Sequence, residues 1–102
     1  RMASSSRLVD NAMNRILIKV ATALTNNIDI ESLGTELGVS VADVTRAIET
    51  NNKGASVTSY GTLGMLRSWA EGVRSSDQLT RLTTALQKAG LQRIADDISG
   101  GK

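Results

Sequence analysis

A chain of 102 residues with 40% apolar and 22% charged side chains has the size and balance of one globular domain, not of a disordered tail. It holds no cysteine and no histidine, which removes thiol nucleophiles, imidazole bases, disulfides and the usual zinc ligands together. The net charge of +2 is small, but its distribution is not even. Arg1, Arg7, Arg15 and Lys19 against Asp10 give +3 over residues 1–28. Asp29, Glu31, Glu36, Asp43 and Glu49 against Arg46 give −4 over residues 29–49, and the remainder returns to +3.

The chain opens on a polar stretch, residues 1–6, expected to be a disordered tail. From Val9 the apolar positions Val9, Ala12, Met13, Ile16, Leu17, Val20, Ala21 and Leu24 recur at steps of three and four, one stripe of a helix. Ile18 lies off that stripe, either a second contact or a surface residue. Thr25-Asn26-Asn27 breaks the pattern, and a second helix is expected near Asp29 as N-cap, with Ile30, Leu33, Gly34 and Leu37 inward. Gly38 ends it, and Ser40 opens a third helix with Asp43 at capping-box spacing and Val44, Ala47 and Ile48 inside. Asn51-Asn52-Lys53-Gly54 closes this helix.

A fourth helix starts near Thr58 or Ser59, with Tyr60, Leu63, Leu66, Trp69 and Val73 on one face and Gly72 at its end. Gly61 and Gly64 weaken its first turns. Ser75 with Gln78 reads as a capping box for a fifth helix, burying Leu79, Leu82, Ala85, Leu86 and Ala89. Gly90 interrupts before a short sixth helix with Leu91, Ile94, Ala95 and Ile98. With two aromatics in the chain, Tyr60 and Trp69, the core must be aliphatic, and Trp69 is expected within it. The expected fold is all-α, a six-helix bundle over residues 7–99 with short links, neighbours mostly antiparallel and a C-terminal tail at 100–102.

Helix, glycine turn, helix at residues 30–48 is also the pattern of a DNA-reading helix-turn-helix. Its recognition helix would carry Asp43 and Glu49 against Arg46 alone, the wrong sign for a phosphate backbone. Nucleic-acid binding therefore stays the second reading. Catalysis is not expected. Asp96 and Asp97 are adjacent and point about 100° apart on a helix, and the serines and threonines have no histidine to activate them. GTLG and SGGK do not match a phosphate loop. No apolar run reaches the roughly 18–20 residues of a membrane span, and the polar start does not resemble a signal peptide.

The order of motifs from Asp29 to Ile98 resembles the death domain family: DIESLGTELGVSVADVTRAIE, then MLRSWAE, then LTRLTTALQKAGLQRIADDI. The likeness spans about seventy residues plus the preceding amphipathic helix. The motifs are loose singly and specific in their order. The family often has tryptophan at the start of the second helix, where this chain has Ile30. The resemblance implies a Greek-key arrangement of six helices and a protein–protein interaction module in cytoplasmic signalling of the apoptosis or innate-immunity type. It implies other death domains as partners, self or adaptor and receptor, with no cofactor, no small-molecule ligand and no membrane contact.

In that family one contact joins the second and third helices to the first and fourth of a neighbour. This places Glu31, Glu36, Asp43 and Glu49 against Arg15, Lys19, Arg67 and Arg74. A second contact would set Glu71, Arg74 and Asp77 against Gln92 and Arg93. The plain alternatives are that these charges are solvated faces, or that the domain is a structural part of a larger protein.

Overall fold

A computed structural model of the chain describes residues 11–99. These residues form six α-helices and no strand: α1 Asn11–Ala23, α2 Asn27–Leu37, α3 Val41–Asn51, α4 Tyr60–Glu71, α5 Ser75–Lys88 and α6 Gln92–Ile98. Val9 and the two tails lie outside the described residues. The expected stripes supply the core. Leu17, Val20, Leu33, Leu66, Leu82 and Leu86 are completely or almost completely buried, and Ala47, Ala95 and Ile98 bring α3 and α6 into the same cluster. α1 packs on α4 and α6, α2 on α3 and α5, α3 on α4, and α5 on α6. The Cα radius of gyration is 13.1 Å, close to the ~13 Å of a hundred residues packed as one body.

The helix ends follow local chemistry, with two departures from expectation. Gly38 takes the left-handed conformation at φ 81°, and its N–H returns to the Thr35 carbonyl, so α2 stops there. Ser40 Oγ accepts from the Asp43 N–H at 3.2 Å and opens α3 as its spacing predicts. The N-cap of α2 is Asn26, not Asp29. Its side chain accepts from the Ile28 N–H at 2.7 Å, and Asp29 sits inside the first turn, where its charge still opposes the positive end of the helix dipole.

The second departure is at α5, where no side chain caps the N-terminus. Gln78 is buried and turned the other way. Its Nε2 donates to the carbonyls of Ala70 at 2.8 Å and Val73 at 3.0 Å, the loose end of α4. The opposite end of α4 is held in like manner. Ser59 makes no side-chain cap, and Asn51 of α3 accepts with Oδ1 from the N–H groups of Gly61 (2.7 Å) and Thr62 (3.2 Å). Asn51 Nδ2 then donates to Thr62 Oγ1 at 2.8 Å. Both termini of α4 are thus satisfied by buried amides borrowed from neighbouring helices.

Four inward assignments are corrected. Tyr60 and Leu79 are exposed, because each turns away from the facing helix while its neighbours, Gly61 and Thr62 in α4 and Gln78 in α5, are the ones buried. Trp69 packs against the core but is only partly buried, its ring shared between the interior and a groove. Ala12, on the expected stripe of α1, is exposed as well. The link between α3 and α4, residues 52–59, is longer than the others, and the Thr58 N–H is tied to the Asn51 carbonyl at 2.8 Å.

Candidate functional site

The surface offers charge in sorted form. α1 carries Arg15 and Lys19 and no carboxylate, while α2 carries Asp29, Glu31 and Glu36 and no cation. Arg15 and Lys19 are one turn apart and both exposed. Arg67 of α4 joins them, since its Nε donates to Asn14 Oδ1 of α1 at 2.9 Å. The cations expected on the first and fourth helices therefore lie on adjoining helices pinned together by that bond. Arg74 is exposed in the turn before α5, where its carbonyl accepts from the Asp77 N–H at 2.8 Å.

The acidic residues are spread wider. Glu31 and Glu36 are both exposed, but five residues place them about 140° apart on α2. Asp43 and Glu49 are about 120° apart on α3. Asp43 is occupied within its own helix by Arg46 at 3.2 Å, the one ion pair among the described residues. Of the second expected group, Glu71 is exposed at the end of α4 and Asp77 is half-buried. Gln92 donates to Asp96 Oδ1 at 2.8 Å along α6, beside exposed Arg93.

Two open grooves flank α4. One, of about 620 Å³, runs between α3 and α4 past Val39, Asp43, Arg46, Met65 and Trp69. The other, of about 630 Å³, lies at the end of α1 and is lined by Thr22, Leu24, Ile30, Asn51, Val57 and Tyr60. It holds no charged side chain. Tyr60 is the ridge between them. Among the described residues no cluster of Asp or Glu is placed to hold a metal.

Sequence reasoning missed Asn14, Asn51 and Gln78. Each acts on a partner in a different helix, up to 53 residues away, and no local pattern announces such a bond. Comparison with family models, with curated proteins and with solved structures yields no match.

Proposed function

We propose that this chain is a protein–protein interaction module of the death-fold kind that assembles with copies of itself or with kindred domains, in the cytoplasm and without a cofactor. The supporting observation is the sorting of exposed charge: a cationic α1, joined by Arg67, and a carboxylate-only α2. Such complementary faces attract a second copy with one face turned to the other, and they set orientation and association rate more than affinity. The helix pairing, α1 against α4 and α6 and α2 against α3 and α5, is compatible with the same reading. The motif order from Asp29 to Ile98 adds to it.

One exposed ion pair contributes roughly 0–1 kcal/mol, so a single contact is weak and several engaged together hold the assembly. Sedimentation at rising protein concentration tests this. Association is expected at low salt and is expected to weaken steeply as salt rises. Glu31→Arg and Arg15→Glu should each reduce it while the helical circular dichroism stays unchanged. A chain that remains monomeric at low salt and high concentration ends the proposal of self-assembly.

A further inference from the structure

The link between α3 and α4 differs from the other turns in how its backbone is held. At Gly38, Gly72 and Gly90 the chain returns consecutive N–H groups to the helix it has just left: Gly38 and Val39 to Thr35 and Gly34, Gly72 and Val73 to Trp69 and Ala70, Gly90 and Leu91 to Gln87 and Leu86. The 52–59 link is anchored only near its ends. The Lys53 N–H donates to the Thr50 carbonyl at 3.3 Å, and the Thr58 N–H donates to the Asn51 carbonyl at 2.8 Å. Between these bonds Gly54, Ala55, Ser56 and Val57 make no hydrogen bond among the described residues. All four are exposed, and a Cβ at Gly54 would meet nothing within 4 Å. Small, polar, unbonded residues at an exposed loop are where proteolytic nicking concentrates. An endopeptidase takes its substrate as an extended strand, and it acts on a helix or a bonded turn only after that piece has opened.

The rest of the molecule does not depend on this stretch. A cut within 54–57 leaves α1, α2 and α3 on one piece and α4, α5 and α6 on the other. Most helix pairings cross the cut: α1 with α4 and α6, α2 with α5, and α3 with α4. Leu17, Val20 and Leu33 of the first piece are buried in one cluster with Leu66, Leu82 and Leu86 of the second. The bonds of Asn51 to Gly61 and Thr62 also join the two pieces, as does that of Arg67 to Asn14.

We propose that the α3–α4 link is a processing site, cut after Ala55 or Val57 by a serine endopeptidase whose specificity pocket takes a small aliphatic side chain, and that the two pieces remain one folded body. Ala55 and Val57 are the aliphatic side chains the unbonded stretch offers such a pocket. At Ala55 the bond from its carbonyl carbon to the Ser56 nitrogen breaks. Water supplies the oxygen of the new carboxylate and the proton that the nitrogen gains, so no other reactant is needed. The product is a pair of three-helix pieces held without a covalent connection.

The test is brief digestion of the full chain with pancreatic elastase at high salt, where charge-driven association between copies plays no part, with fragments identified by mass. Within residues 11–99, cleavage after Ala55 or Val57 is expected to run roughly tenfold faster or more than at any other bond, since every competing small residue there lies in a helix or a bonded turn. The nicked chain is expected to elute with the intact one in gel filtration, to keep its helical circular dichroism, and to separate into two fragments only in urea. A double variant, Ala55→Asp with Val57→Asp, changes two exposed side chains and is expected to lose the fast cut with its circular dichroism unchanged. A chain that resists the protease, a first cut inside a helix, or a double variant cut at the same rate overturns the proposed site. Fragments that part in native buffer overturn the proposed body of two pieces.

Discussion

At the scale of single residues, the side chains that decide most are two amides. Asn51 is 3% exposed and makes three side-chain hydrogen bonds to the start of α4. Replacing it by alanine leaves the N–H groups of Gly61 and Thr62 buried without their acceptor, at about 1–3 kcal/mol each. Asn51→Ala is therefore expected to lower the unfolding free energy by about 2–4 kcal/mol in urea titration, and Asn52→Ala, its exposed neighbour, by less than about 1 kcal/mol. Trp69 shows the other case. Since it is only partly buried, Trp69→Ala is expected to cost less than the 3–5 kcal/mol of a fully enclosed aromatic, about 2–3 kcal/mol in the same titration. Sequence reveals that asparagine and glutamine are present but not whom they serve. A string Asn-Asn-Lys-Gly looks like a helix ending, and it is one, yet its first residue also starts the next helix.

At the scale of elements, the helices were largely legible because three- and four-residue spacing of Leu, Ile, Val and Ala survives folding unchanged. The ends at Gly38, Ser40 and Gly72 were legible for the same reason, as each acts on its own turn. α5 opens at Ser75 as expected but without the capping box, since Gln78 serves α4 across the turn. Glycine in α4 separates packing from propensity. A Cβ at Gly61 would overlap the Ala47 carbonyl, so Gly61 is what lets α3 and α4 cross closely. Gly61→Ala is expected to destabilise or to push the two helices apart. Gly64→Ala meets no obstacle and is expected to stabilise by about 1 kcal/mol. That corresponds to a melting temperature raised by roughly 4–8 °C for a domain this size, read by calorimetry.

At the scale of the whole molecule, the charge asymmetry was readable as a sum over segments, but its layout was not. The cations of α1 gain Arg67 through Asn14, a partner 53 residues distant. The carboxylates of α2 and α3, contiguous in sequence, disperse around their helices, and Asp43 is taken by Arg46. Neutralising Asp43 alone is thus expected to affect salt-dependent association less than Glu31→Arg does, a difference that sedimentation at one low salt concentration measures. One more consequence follows from the borrowed caps of α4. A helix whose terminal groups are bonded to α3 and α5 has no ends free to fray by themselves, so it opens only when those helices give way. Backbone protons of α4 should therefore exchange with deuterium at the slow pace of global unfolding, while seven-residue α6, which has no side-chain cap, exchanges sooner. Tyr60 and Arg67 would then be held at fixed spacing until the whole bundle comes apart.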